Sequence, residues 1–215
     1  MSITTNYLEQ LYKREPNLFL QRLKKSNLTE TDLQEIEKSL GYTFPQQYKE
    51  FLQSYQMQDM TVYITFCGSL YACSFAETFS REKNDWISVD DISEDDDVVV
   101  DLEWYGFGGE SATEYLEKLR ERVGEMTAWL EAGFIPLGCF YKESYFVYYD
   151  LTTGEVDCIH HEDIYLTEDW EDPKANRICM ETEGTDFCRN FNDFLRLACL
   201  GEPYDEDDMI FSEDM

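Results

Sequence analysis

The chain has few positively charged residues and few of the residues on which catalytic and metal sites depend. Only 17 of its 215 residues are lysine or arginine, against 46 aspartates and glutamates, and only two are histidine. The sequence contains no Cys-x-x-Cys pair, no nucleophile motif and no cofactor fingerprint. These absences argue against a structural zinc site, against a bound cofactor and against an enzyme.

The chain also lacks long apolar runs. No stretch approaches the ~20 apolar residues that cross a bilayer, and the N-terminus does not show a basic region followed by an apolar one. The seven cysteines are odd in number and widely spaced, which is typical of reduced thiols in a cytosol. We therefore expect a cytoplasmic protein with no membrane partner.

Acidic residues are in excess, and the excess lies in one part of the chain. Residues 1–50 carry seven basic and seven acidic groups, so the other 165 residues hold the remaining 10 of the 17 basic and 39 of the 46 acidic groups. This second part accounts for the whole formal charge of −29. Such a field repels nucleic acid and anionic membranes and attracts cationic proteins from a distance. The charge predicts a basic protein as the partner and no nucleic acid.

The composition is nevertheless that of a folded protein. Aromatic residues make up 15% and hydrophobic residues 43% of the chain, whereas disordered acidic chains contain few aromatic residues. The sequence can therefore build a hydrophobic core, and a chain of this length most often forms one domain.

Helical periodicity dominates the first quarter of the chain. Two short helical pieces joined at Pro16 are predicted over residues 6–25. A capping box at Thr29 starts a clearer helix that ends at Gly41, and Pro45 starts another. We expect these two helices to pack antiparallel across a tight turn.

After residue 60 the period changes from that of a helix to that of a strand. The alternation predicts a hairpin of residues 61–65 with 70–75, followed by a mostly exposed stretch over 77–110 with one candidate strand at 98–100. Further elements are predicted as a helix at 111–133, strands at 134–138, 145–151 and 155–159, and a last helix at 191–200. This order predicts an α+β fold with a mostly antiparallel sheet flanked by helices.

Two acidic segments that contain tryptophan are the candidate partner-binding sites. The first is an exposed loop over 90–103 with two aromatic residues beside it, and the second lies around residue 170. Carboxylates steer a cationic partner, and tryptophan and tyrosine dominate contact energies. An alternative for the first segment is a solvated loop whose aromatic residues pack into the core. The candidate residues are Asp90, Asp91, Glu94, Asp95, Asp96, Asp97, Asp101, Glu103, Trp104 and Tyr105, then Asp169, Trp170, Glu171 and Asp172, with Glu162 and Asp163 nearby.

The remaining polar motifs indicate no metal or phosphate site. His160 and His161 are adjacent, so in a strand they point to opposite faces and cannot share one ion. The acidic runs 95–97 and 205–208 lack the glycine and terminal glutamate of an EF-hand loop. The glycines within 106–109 follow an acidic run and precede no lysine, which favours a hinge over a phosphate cradle. We expect neither a cofactor nor a metal.

Three stretches, taken in order, resemble the SUKH superfamily. Residues 28–52 contain Leu-Gly-Tyr-Thr-Phe-Pro-Gln-Gln-Tyr-Lys-Glu-Phe-Leu, similar to the family's opening pair of helices. Residues 134–156 contain Phe-Ile-Pro-Leu-Gly and a hairpin that ends in Gly-Glu-Val, and residues 190–195 are similar to the family's closing helix. One departure is the family's Asn-Gly-Gly after the second helix, which is replaced here by Ser-Tyr-Gln-Met-Gln-Asp at 54–59.

The resemblance implies an antiparallel sheet flanked by helices, no catalytic centre, and the role of a bacterial immunity protein that binds and neutralises a cognate toxin. Toxins of such systems are often nucleases. A nuclease presents cationic surface to phosphate, so an acidic inhibitor can occupy that surface and exclude the substrate. The alternative is a non-enzymatic scaffold, regulator or DNA mimic that binds another basic protein.

The resemblance covers residues 29–75 and 133–200 and thereby sets the expected organisation of the chain. We expect one SUKH-like domain over 1–215, with an N-terminal helical extension at 1–27, an acidic insertion at 77–132 and an acidic tail at 202–215.

Overall fold

The structure, a computed structural model, describes residues 3–16, 24–67, 77–80, 85–88, 97–124, 127–140, 145–165 and 171–201. Its helices are α1 (Ile3–Arg14), α2 (Glu30–Leu40), α3 (Gln46–Ser54), α4 (Ala112–Val123), α5 (Ala128–Glu131), α6 (His161–Tyr165), α7 (Pro173–Glu183) and α8 (Phe191–Leu200). Its strands are β1 (Lys24–Lys25), β2 (Tyr55–Gln56), β3 (Met60–Cys67), β4 (Glu77–Ser80), β5 (Asp85–Ser88), β6 (Asp97–Trp104), β7 (Phe134–Phe140), β8 (Tyr145–Asp150), β9 (Val156–His160) and β10 (Thr185–Cys188).

Six of these strands form one sheet in the order β10-β9-β8-β7-β6-β3. Every pairing in this sheet is antiparallel. The strands β1 and β2 pair with each other, as do β4 and β5, in two smaller sheets. The predicted α+β fold, an antiparallel sheet flanked by helices, is therefore confirmed.

Local sequence signals explain where the first helices begin and end. The Thr29 hydroxyl accepts a hydrogen bond from the Asp32 N–H at 3.2 Å, and Asp32 accepts one from the Thr29 N–H at 2.8 Å, so the predicted capping box is complete. Gly41 ends α2 with φ 80°, a conformation that favours glycine. Pro45 directly precedes α3.

An aromatic cluster joins one face of the sheet to α3 and α8. The Phe51 ring of α3 lies stacked 6.2 Å from Trp104 of β6 and edge-on 4.8 Å from Phe191 of α8, between ring centroids. Tyr48 of α3 lies 5.2 Å from Tyr149 of β8. All five side chains are at most 2% exposed. Burial of a large apolar side chain stabilises a fold by about 1.5–3 kcal/mol, so this cluster fixes β6 against the helices.

Helices α5 and α7 cover the opposite face of the sheet. Trp129 of α5 lies 5.7 Å edge-on from Phe146 and 6.0 Å from Tyr148, both on β8. The Tyr148 hydroxyl donates a hydrogen bond to the Met180 carbonyl of α7 at 3.5 Å. A Cβ added at Gly184, directly after α7, would lie 2.4 Å from that hydroxyl, so only glycine fits where α7 ends on the sheet.

The largest difference from the expectation concerns residues 97–104. The sequence predicts an exposed acidic loop with one candidate strand at 98–100, but all of these residues form β6, which lies inside the sheet between β7 and β3. Val100, Leu102 and Trp104 alternate with acidic residues and are at most 1% exposed, so their burial overrides the loop-like composition. The predicted insertion at 77–132 includes both β6 and α4, and its bounds stay a prediction.

Smaller differences concern pairings and helix ends. Strand β3 pairs along its whole length with β6, whereas its predicted partner, 70–75, lies outside the described residues. The predicted helix at 111–133 is two helices, because Gly124 ends α4 with φ 53°. His160 ends β9 and His161 begins α6, with ring centroids 4.5 Å apart, so the argument that they point to opposite faces of a strand is wrong. Helix α7 and strand β10 were not predicted.

Candidate partner-binding surface

Strand β6 carries the described part of the first acidic segment. Asp97 begins the strand, Asp101 and Glu103 lie within it, and Tyr105 follows it. The other acidic candidates of this segment lie outside the described residues, as does the tail at 202–215; they are Asp90, Asp91, Glu94, Asp95 and Asp96. The candidate surface is therefore built from β6 and the strands that pair with it.

Alternation along β6 separates its acidic side chains from its apolar ones. Leu102 and Trp104 are buried towards α3 and α8, while Glu103 is exposed and Asp101 is partly exposed on the other face of the sheet. The Cys139 Sγ of the neighbouring strand β7 lies 3.6 Å from a Glu103 carboxylate oxygen. Both carboxylates thus project from a paired interior strand, which holds their positions.

Strand β3 adds two uncharged side chains to the same face. Thr61 is the register partner of Glu103, and Tyr63 is the register partner of Asp101; such partners point to the same side of an antiparallel pair. Tyr63 is 38% exposed. We call Thr61, Tyr63, Asp101 and Glu103 the acidic strand face. Side chains two residues apart on a strand are separated by about 7 Å, so two carboxylates stand beside an accessible aromatic ring.

Trp104 does not belong to this face. It is 1% exposed and lies edge-on 5.8 Å from Phe194 of α8, in addition to its stacking on Phe51. The expectation that Trp104 contacts a partner directly is therefore wrong. Trp104 instead packs into the core, as in the alternative stated above, because the two-residue alternation of β6 points position 104 inward.

Tyr105 lies at the edge of a groove. The Arg122 guanidinium of α4 stands 5.4 Å from the Tyr105 ring centroid and forms a 2.9 Å ion pair with Asp59. Asp59 also accepts a hydrogen bond from the Gly106 N–H at 2.6 Å. The groove encloses about 630 Å³ and is lined by Met57, Gln58, Asp59, Lys118, Glu121 and Arg122. Its 57–59 side belongs to the segment whose sequence departs from the SUKH pattern.

The second acidic segment is only partly described. Asp169 and Trp170 lie outside the described residues, whereas Glu171 and Asp172 are exposed at the start of α7. The Asp172 carboxylate accepts a hydrogen bond from the Lys174 N–H at 3.0 Å and caps α7. Glu162 is exposed on the neighbouring α6. Asp172 therefore has a structural task, and Glu171 and Glu162 are available at the surface.

A partly buried carboxyl group lies on the face of the sheet that α7 covers, where sequence reasoning identified nothing. Asp157 of β9 is the register partner of Tyr148 on one side and of Asp186 on the other, and its Oδ1 has no hydrogen-bond partner among the described residues. Burial, followed by the negative charge of Asp186, raises the pKa of the Asp157 carboxyl to about 8. This carboxyl therefore holds a proton at neutral pH. An isolated aspartate in a strand pattern does not reveal which residue will lie across from it.

The described residues show no sign of a metal centre or of a membrane span. In those parts of the chain, no three histidine, cysteine, aspartate or glutamate side chains come together as ligands for an ion. None of the helices described above is long and apolar enough to cross a bilayer. The chemistry that the surface offers is negative charge beside aromatic and apolar groups, which suits recognition of a cationic protein.

The antiparallel sheet and the helices on its two faces form an α+β fold of the SUKH type. A family model, the SMI1 / KNR4 family (SUKH-1), matches residues 27–197. The chain therefore belongs to this family. The match runs through β6 and α4, in agreement with their place in the sheet and its helical layer. A search of curated proteins returned no match.

Proposed function

We propose that this chain is an immunity protein that binds a cognate basic toxin, of the nuclease type, and neutralises it by covering its cationic surface. One observation carries the proposal: the acidic strand face stands on a SUKH fold whose residues 51–215 hold the entire charge of −29. In this proposal the chain is cytoplasmic, performs no catalysis and needs no cofactor.

The mechanism has a long-range step and a contact step. Attraction between opposite charges raises the association rate constant by roughly 10-fold to 1,000-fold. Aromatic side chains then supply much of the contact energy. Asp101 and Glu103 serve the first step and Tyr63 the second. A toxin held against this face cannot present the same cations to phosphate.

The other predicted acidic residues extend the same proposal. The segment at 90–96 directly precedes β6 in the sequence, and we count its carboxylates in the negative charge that attracts the partner. Tyr105, Glu171 and Asp172, with Asp169 and Trp170, are further proposed contacts. Trp104 acts on binding only indirectly, because it holds β6 in place from inside the core.

The alternative function is a scaffold, regulator or DNA mimic that captures some other basic protein. The charge supports this alternative equally, because a negative field attracts any cationic surface. The SUKH fold favours immunity. The two functions differ in whether the partner is toxic by itself.

Neutralising the strand face should slow association with the toxin. We expect Asp101→Asn combined with Glu103→Gln to lower the association rate constant at low salt by about 3-fold to 10-fold and to flatten its dependence on ionic strength. The binding partner for this stopped-flow measurement is the purified product of the gene adjacent to the one that encodes this chain.

A matched double variant tests whether position matters. Glu35→Gln on α2 with Glu117→Gln on α4 removes the same charge from exposed sites elsewhere. We expect this control to change the rate less than twofold. Equal rates for both double variants, or association that is insensitive to salt, would contradict steering by the acidic strand face.

A further inference from the structure

Helix α7 exposes a large apolar side chain to water. Ile178 is 64% exposed, and Tyr63 of the acidic strand face is the other large hydrophobic residue that is exposed in the described part of the chain. Single exposed apolar residues are common on protein surfaces, so the position needs support from its surroundings. Four points give that support.

The packing of α7 does not depend on Ile178. Met180 and Asn176 are buried on the inner side of the helix. Arg177 forms a 2.7 Å ion pair with the buried Asp150, and its guanidinium stands 4.8 Å from the Phe134 ring centroid. These contacts attach α7 to the sheet without Ile178. The fold therefore provides no reason for isoleucine at this position.

Isoleucine is also a poor choice for an exposed helical site. Its β-branched side chain loses rotamer freedom against the preceding turn, and alanine, glutamate or lysine stabilise such a site better. Neither helix propensity nor packing explains Ile178, whereas contact with another molecule does.

The surroundings of Ile178 are acidic. Lys174 is an exposed cation on the same helix, and Arg177 is occupied by Asp150 and Glu181 at 2.7 Å each. The exposed carboxylates at the ends and along the side of the helix are Glu171, Asp172, Glu181 and Glu183. An apolar centre with a charged rim is the usual anatomy of a protein interface. The negative rim excludes a second copy of this chain and selects a cationic partner.

The α7 face lies on the same side of the sheet as the acidic strand face. Glu103 is the register partner of Cys139, and Cys139 of Phe146, so these three side chains point to one side. Trp129 packs on Phe146 from that side, and α7 joins it there through Tyr148. One partner can therefore meet the exposed Glu103 and Tyr63 side chains and the outward face of α7 together.

We propose that the outward face of α7 is a second contact site for the same basic partner, with Ile178 inserted into an apolar pocket that is bordered by lysine or arginine side chains. This inference rests on the proposed function. The acidic strand face governs how fast the complex forms, whereas Ile178 governs how slowly it separates, because a desolvated apolar contact acts after docking.

The test compares Ile178→Ser with Ile178→Val and with Thr182→Ser, a control on the same exposed side of α7. The purified product of the adjacent gene is the probe, and both rate constants are measured by biolayer interferometry at one salt concentration. We expect Ile178→Ser to raise the dissociation rate constant about 10-fold or more while the association rate constant and the melting temperature stay unchanged. Ile178→Val and Thr182→Ser should behave like the unmodified chain.

The outcomes separate the inference from the proposed function. If the unmodified chain binds and Ile178→Ser dissociates at the same rate, the α7 site is wrong and the proposed function stands. If the unmodified chain does not bind the probe at all, both are wrong. Slower association of Ile178→Ser without faster dissociation would also contradict the assigned role.

Discussion

Replacing Trp104 by alanine will lower the free energy of unfolding by about 3–5 kcal/mol, the usual cost of removing a large aromatic side chain from a core. The indole is 1% exposed and lies between Phe51 of α3 and Phe194 of α8. Its loss leaves a cavity where β6 meets both helices. Urea unfolding, followed by circular dichroism, measures the effect.

The neighbouring residue provides the matched control for this prediction. Glu103 is exposed on the opposite face of the same strand, so Glu103→Ala should change the free energy of unfolding by less than about 0.5 kcal/mol. The effects on binding should be reversed. Glu103→Ala should lower the association rate constant, whereas Trp104→Phe should leave it close to that of the unmodified chain. If Trp104→Ala kept its stability and lost binding, the core role would be contradicted and Trp104 would be a direct contact of the partner.

Raising the pH should destabilise the fold through Asp157. The folded protein keeps a proton on this carboxyl up to a pKa of about 8, whereas the carboxyl ionises at its ordinary value of 3.8 when the chain unfolds. The contribution is fully present below about pH 4 and is lost as the pH rises through 8. We expect Asp157→Asn, which stays neutral, to be more stable than the unmodified chain at pH 9 by an amount on the order of 3 kcal/mol.

The measurement is urea unfolding at pH 5, 7 and 9 for both chains. The difference in stability should grow between pH 5 and pH 8 and then level off, because the Asp157 carboxyl is ionised in the unfolded chain and protonated in the folded one, whereas asparagine is neutral in both states. Glu162→Gln, at an exposed site on α6, is the control and should give a curve parallel to that of the unmodified chain. Parallel curves for Asp157→Asn as well would show that Asp157 is already ionised at neutral pH in the folded protein.

Local signals made much of the fold predictable. The capping box at Thr29, the glycine at position 41 and the proline at position 45 each act within one helical turn, so sequence alone reveals them. The hairpin of β8 and β9 also has a local signal, since Gly154 has φ 82° in its turn. Resemblance to the SUKH superfamily then joined these separate elements into one architecture.

Strand β6 was predicted only as a short candidate at 98–100, and its extent to Trp104 was missed, because two signals compete in the same residues. Aspartate and glutamate are rare in strands, and the acidic run suggested a solvated loop. The decisive signal is the alternation from Val100 to Trp104, in which every second side chain is apolar. A strand with acidic residues on one face can lie inside a sheet only if its other face is buried. The sequence of β6 alone does not show that α3 and α8 bury that face.

The acidic strand face and Asp157 depend on contacts that are distant in sequence. Tyr63 lies beside Asp101, and Asp157 lies between Tyr148 and Asp186, only through the register of separate strands. The composition predicted an acidic partner-binding surface. It could not select which carboxylates share a face with an exposed tyrosine, because strand register is set by the whole sheet.

The most direct test of the account is the growth of cells that express the product of the adjacent gene, alone and together with this chain. The account predicts arrested growth for the adjacent gene alone, restored growth when the chain is present, and a complex that dissociates at high salt. Arrest that the chain does not relieve, or a bound partner that is itself acidic, would contradict the claim that this protein neutralises a basic toxin.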